Sequence, residues 1–272
     1  MNKALALSIS LFAAIAALFA FAVITQAEHS WGSYHWARTG NPFTLKLGDN
    51  VSTAWDSYLA AASVDWNASD VLDTSVVFGA TNPKRCKAVS GRVEVCNSTY
   101  GKNGWLGIAQ IFVSGNHIVA GMVKMNDTYF KTSTYNTPGW RQFVTCQEIG
   151  HTFGLDHQDE NFGNSNIGTC MDYTNNPARD DGAGTNLHPN LHDFEELALI
   201  YAHPDTFSTI SAASNAGAGA SALARSDDFE NASEWGKEIR KDSRGRSSLF
   251  ARDLGRGEKV FTFVIWADPA DK

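Results

Sequence analysis

The five residues Phe43-Thr44-Leu45-Lys46-Leu47 alternate apolar and polar before Gly48-Asp49-Asn50 breaks the run, which predicts a strand followed by a turn. The period then changes. Over residues 52–66, Trp55, Leu59, Ala62 and Trp66 recur at spacings of three and four, which predicts an amphipathic helix with Ser52 as its N-cap. Residues 74–78, 107–113 and 117–124 read as strands, the last two joined by the turn signal Ser114-Gly115-Asn116. Residues 86–96 read as a hairpin or loop closed by a disulfide. A helix begins near Pro138 and carries Trp140, Phe143, Val144 and Gln147 towards Gly154. Residues 159–168 and 175–184 are rich in Asn, Asp and Gly and read as loops. Residues 191–201 return to helical spacing, with Asn190 as N-cap. Strand, helix, strands, helix predicts an α+β domain with one mixed, twisted sheet.

Composition divides the chain further. Residues 208–224 are almost all Ser, Ala, Gly and Thr, which reads as a linker. Beyond it, residues 236–239, 248–254 and 259–266 read as short strands, the last two joined by Gly255-Arg256-Gly257. The expected organisation is a main domain at 28–207, the linker at 208–224, and a small C-terminal β appendage at 225–272. At the other end, Lys3 is followed by an apolar run and then Thr25-Gln26-Ala27, the pattern of a cleaved secretory signal peptide over residues 1–27. The alternative is an uncleaved anchor, since about 18 apolar residues can span a bilayer. Cleavage leaves 245 of the 272 residues, a secreted, soluble and monomeric chain with no membrane span.

A net charge of −7 with no basic stripe argues against nucleic acid as a partner. Cys86, Cys96, Cys146 and Cys170 make an even count, which in an exported chain favours disulfides. Three pairings are open, and nearest-neighbour pairing is the simplest. Asn-x-Ser/Thr sequons stand at Asn50, Asn67, Asn97, Asn126 and Asn231. His29 and His35 read as surface residues near the mature N-terminus, and the loop at 159–166 as solvated, with no EF-hand spacing for calcium.

The candidate chemistry lies in Gln147-Glu148-Ile149-Gly150-His151-Thr152-Phe153-Gly154-Leu155-Asp156-His157. Residues four apart share a helix face, so Gln147 and His151 project together. Gly154 lets the chain turn out of the helix, and His157 can return as a third ligand. Three ligands and an open position suit a catalytic zinc (Zn2+) site, with Glu148 as the carboxylate placed to take a proton from water.

This segment resembles the metzincin signature H-E-x-x-H-x-x-G-x-x-H, with Gln147 in the place of the first histidine. Cys170-Met171-Asp172-Tyr173 resembles the Met-turn of that clan, and the likeness spans roughly residues 40–205. The resemblance implies a zincin-like fold with His151 and His157 as zinc ligands and Gln147 at the remaining ligand position. It also implies Glu148 as general base, Met171 packed beneath the site, and Tyr173 near the metal or the transition-state oxyanion. A Cys146–Cys170 bridge would tie the active-site helix to the Met-turn, as in the pappalysin-like and related branches. The implied function is a secreted zinc endopeptidase acting on proteins or peptides. Because glutamine is a poorer ligand than histidine, two alternatives stand beside it. His117, His188, His192 or His203 completes the site, or the chain is an inactive zincin-fold binding protein. Residues 29–41 leave no room for a pro-segment, so the chain is expected either to be made active or to use its tail for latency.

Overall fold

A computed structural model describes residues 29–210 and 231–268. The expected signal peptide and most of the expected linker lie outside the described residues. Nine strands form one mixed sheet: β1 (His35–Trp36), β2 (Phe43–Asn50), β3 (Leu72–Phe78), β4 (Val93–Ser98), β5 (Trp105–Ser114), β6 (His117–Asn126), β7 (Lys237–Lys241), β8 (Ser247–Gly255) and β9 (Glu258–Trp266). Their spatial order is β3-β2-β4-β6-β5-β9-β8-β7, with β1 pairing beside β6. The β1, β2, β3 and β4 contacts are parallel, and the β5, β7, β8 and β9 contacts are antiparallel. Three helices, α1 (Asp56–Trp66), α2 (Pro138–His151) and α3 (Leu191–Ile200), complete the α+β fold. No helix among the described residues is long and apolar enough to cross a membrane.

The C-terminal strands are not a separate appendage. β9 pairs with β5 along its whole length, from Trp105↔Trp266 to Ser114↔Glu258, and β8 and β7 follow it. Alternation within β9 explains the docking. Phe261, Phe263 and Ile265 enter the core that also holds Phe143, Val144 and Ile149 of α2. Val260 and Val264 enter a second cluster on the other face, with Ile108, Phe112 and Trp235. Both faces of β5 are therefore covered, and its continuous apolar run is that of a strand buried on two sides.

Other expectations shift locally. Ser52 is not an N-cap: α1 begins at Asp56, because the Ser52 carbonyl instead closes a turn by accepting from the Trp55 amide at 2.7 Å. The segment from Cys86 to Cys96 is not a hairpin, since β4 runs parallel between β2 and β6. His29 and His35 are buried. The N-terminal arm that bears them bridges Leu155 through Ser30 and pairs with β6 through β1. Asn50, Asn97 and Asn126 are buried with their side-chain amides hydrogen-bonded, which leaves no room for a glycan at those sequons. The disulfides are Cys86–Cys96 and Cys146–Cys170.

Candidate metal centre

Helix α2 starts at the Thr137 N-cap, whose side chain accepts from the Trp140 amide, with Pro138 in the first turn. Its last ten residues are all buried. Gly150 is what lets the helix lie so close beneath: a Cβ there would stand 2.7 Å from both the Met171 sulfur and the Trp66 ring. Met171 thus packs against α2 one residue before His151. Helix ends, and Gly154, at φ +105°, makes the sharp turn that other residues avoid. The Gly154 carbonyl accepts from the Trp31 amide, and the His151 carbonyl from the Trp31 indole at 3.1 Å, so the N-terminal arm clamps the turn.

Beyond the turn His157 comes back to His151. Their Nε2 atoms are 3.0 Å apart. His151 presents Nδ1 to the Leu155 carbonyl at 2.9 Å, and His157 presents Nδ1 to the Glu160 carboxylate at 2.8 Å. Both partners only accept, so each neutral ring carries its hydrogen on Nδ1 and turns an Nε2 lone pair towards the other. Burial keeps both rings neutral. It holds His151 well below the usual histidine range, with His157 adding to the effect, and lowers His157 to about 3 against the upward pull of Asp156.

Gln147 is fixed in the same way. Its Nε2 donates to the Cys170 carbonyl at 2.7 Å, which leaves Oε1 buried with no partner. Glu148 is buried too, and both its oxygens lack hydrogen-bond partners. Burial raises its pKa well above the carboxylate range, and the nearby Ile265 amide offsets only part of that. Gly107 of β5 lies against it, where a Cβ would come 2.8 Å from Glu148 Oε1 and 2.6 Å from Val144. The Tyr173 ring sits 4.2 Å from that of His157, and its hydroxyl donates to the Val264 carbonyl at 3.0 Å. Burial pushes the Tyr173 hydroxyl well up, so it remains a donor.

His151, His157 and Tyr173 are thus in contact, and Gln147 and Glu148 are buried one turn earlier on α2. The other histidines are engaged elsewhere. His188 pairs with Asp65, His192 lies against His29, His203 against His35, and His117 with Asp205. Two groups of metal-capable side chains occur among the described residues: Asp156, His157 and Glu160, and separately His35, His117 and Asp205. In the second, Arg38 already pairs with the Asp205 carboxylate at 3.2 Å.

Sequence reasoning missed Glu160, Arg240 and Phe263. Glu160 lies in a stretch read as a solvated loop, yet it orients His157. Arg240 of β7 ion-pairs with Asp156 at 2.6 Å and Glu160 at 3.2 Å, bracing the loop that carries His157. Phe263 of β9 stacks on His151 with ring centres 4.0 Å apart and planes 14° apart. Arg240 and Phe263 carry no local signal, since each acquires its role from pairing far along the chain, whereas Glu160 lies only three residues from His157 and a closer reading of that spacing could have found it.

Asp172, between Met171 and Tyr173, gives a pH-dependent test. It accepts from the Asn186 amide at 2.7 Å and the Ile167 amide at 3.2 Å, but Oδ1 is buried and unpartnered. Burial raises its pKa to about 6, and Asp159 adds to the shift. The folded chain therefore holds this proton more tightly than the unfolded chain does. Stability from this group is full below the unfolded pKa and is lost as pH rises towards about 6. Asp172→Asn is expected to stabilise the protein by about 1–2 kcal/mol at pH 7.5 and by nothing near pH 3.5. Urea midpoints at the two pH values check this, and an equal gain at both would refute the linkage.

No protein-family model matches the chain, and no curated protein matches it. Among solved structures it is similar to myroilysin, at 12% identity and a TM-score of 0.33 over 64% of this chain and 82% of that one. It is also similar to high choriolytic enzyme 1, a hatching-enzyme zinc-protease from Oryzias latipes (medaka fish). There the identity is 11% and the TM-score 0.34, over 63% of this chain and 96% of that one. Likeness of this size fixes neither a family nor an activity for this chain.

Proposed function

We propose that the chain is a secreted, zinc-dependent endopeptidase of the metzincin type, with Gln147, His151 and His157 holding the metal. The supporting observation is the pair of buried Nε2 atoms 3.0 Å apart, each with its ring hydrogen committed on the far side. Two lone pairs so placed repel unless a cation lies against both. Gln147 Oε1, buried and unpartnered, offers a third donor that is neutral like imidazole. Nδ1 and Nε2 partners of this kind hold metal ligands in orientation. A zinc ion bound there supplies Lewis-acid polarisation and a water of lowered pKa.

The chain's own groups do the rest. Glu148 accepts a proton from the attacking water and delivers it to the departing amide nitrogen. Its carboxylate is buried with neither oxygen committed to another group, so it is available for that proton. The Tyr173 hydroxyl, which stays protonated, donates to the carbonyl oxygen as negative charge develops there. Secretion is supported by the two disulfides and by the N-terminal sequence pattern.

Elemental analysis of the purified chain is expected to find one zinc, lost in His151→Ala. Gln147→His is expected to tighten zinc binding by on the order of 10-fold, because imidazole is the better ligand. Competition against a fluorescent chelator measures this. Unchanged affinity in Gln147→His would remove residue 147 from the ligand set.

A further inference from the structure

The tail meets the candidate centre at several points. Phe263 covers the face of His151, Arg240 braces the His157 loop, and Ser248 reaches Glu160 at 3.2 Å. Arg244 lies 4.0 Å over Phe162, which itself stacks on Tyr173. One peptide unit matters most. The Val264 carbonyl accepts from the Tyr173 hydroxyl at 3.0 Å, while Ile265, which supplies the N–H of the same peptide, lies opposite Gly107, the residue against which Glu148 packs. In a trans peptide the C=O and N–H point in opposite directions, so this unit lies across the gap between the two residues. That is the disposition a bond awaiting hydrolysis needs, with its oxygen on the oxyanion donor and its nitrogen on the group that returns the proton.

The backbone agrees. β9 runs antiparallel to β5 in unbroken register from Gly107↔Ile265 to Ser114↔Glu258. Strand addition of this kind is a general way to bind an extended peptide, with main-chain bonds giving affinity and alternate side chains giving register. The pairing of β8 with β9 stops at Leu249↔Phe263, and the Val264 carbonyl accepts from Tyr173 instead of from β8. Gly107, directly opposite Ile265, has no side chain to separate that amide from Glu148.

We propose that β9 is a tethered, substrate-like ligand of the groove along β5, presenting the Val264–Ile265 peptide to Glu148 and Tyr173 and holding the centre closed. This rests on the endopeptidase reading and names the regulator of that same site. The occupant is a segment of this chain, and the molecule it excludes is an extended peptide laid antiparallel on β5. A strand carried on the same chain competes as an intramolecular ligand, at an effective concentration that free peptide must exceed to displace it.

The test uses the full-length chain with a specific protease site inserted within residues 211–224, zinc present throughout. Hydrolysis of a quenched fluorescent peptide is followed before cutting, after cutting, and after cutting with the tail fragment displaced and removed. If the tail fills the groove about nine-tenths of the time, its removal raises kcat/KM about 10-fold. A synthetic peptide of residues 256–268 should then restore inhibition competitively, and a scrambled one should not. Because tail removal exposes β5 and can unfold the chain, the uncut double variant Phe261→Ser/Phe263→Ser provides a second arm. It should hydrolyse faster than the uncut parent, and its β5 amides should exchange faster with deuterium. Equal hydrolysis by cut, uncut and double-variant chains overturns the proposal and leaves the endopeptidase reading standing. Absence of both zinc and hydrolysis in every form overturns the two together.

Discussion

Glu148→Gln is expected to lower kcat/KM for peptide hydrolysis by about 10²–10⁴-fold, measured on the tail-released chain, while zinc content stays the same. The substitution keeps the shape that packs against Gly107 and Val144 and removes only the ability to take a proton. It has a second readout of opposite sign. Glu148 is buried without a hydrogen-bond partner, and burial opposes its charge. A neutral glutamine escapes that penalty, so thermal stability at neutral pH should hold or rise as activity collapses. Loss of activity together with loss of fold would point to a structural role, and retention of activity within about 3-fold would remove Glu148 as the base.

Removing the Cys146–Cys170 bridge with a double alanine variant is expected to cost about 3 kcal/mol, from the loop closed by a sequence separation of 24. The separation of 10 at Cys86–Cys96 gives a cost of similar size, about 3 kcal/mol, so the two bridges are close to equivalent in urea unfolding. They should differ in zinc affinity. The Cys170 carbonyl holds the Gln147 amide so that Oε1 faces away from it, and the bridge ties that carbonyl to α2. Zinc binding should therefore weaken in the Cys146/Cys170 variant and not in the Cys86/Cys96 variant. Equal affinities would show that Gln147 is oriented without help from the bridge.

What the sequence makes legible is what short-range chemistry decides. Thr137-Pro138 starts α2, and Asn190 with Asp193 forms a full capping box at α3. Gly255-Arg256-Gly257, all at positive φ, closes the β8–β9 hairpin. The gathering of Gln147, Glu148, His151 and His157 follows from helical period and one sharp turn. What is not legible depends on partners far away. Phe263 has the alternating pattern of any core strand residue, and nothing near it reveals that β9 pairs with β5, over 150 positions earlier. Glu160 sits among Asn, Asp and Gly, and its brace, Arg240, lies eighty positions later on β7, although its bond to His157 spans only three residues. Ser52 satisfies the composition of an N-cap but uses its carbonyl in a turn, a choice the side chain does not announce.

The place of β9 also governs the order of synthesis. It lies between β5 and β8, and β7 and β8 reach the rest of the sheet only through it. Those two strands emerge first and can pair only with each other until residues 258–266 follow. The sheet is therefore completed only when β9 follows, through contacts of high sequence separation, which form slowly. A stop codon placed just before Glu258 would leave β7 and β8 translated yet unattached, and three strands would be lost for the price of one.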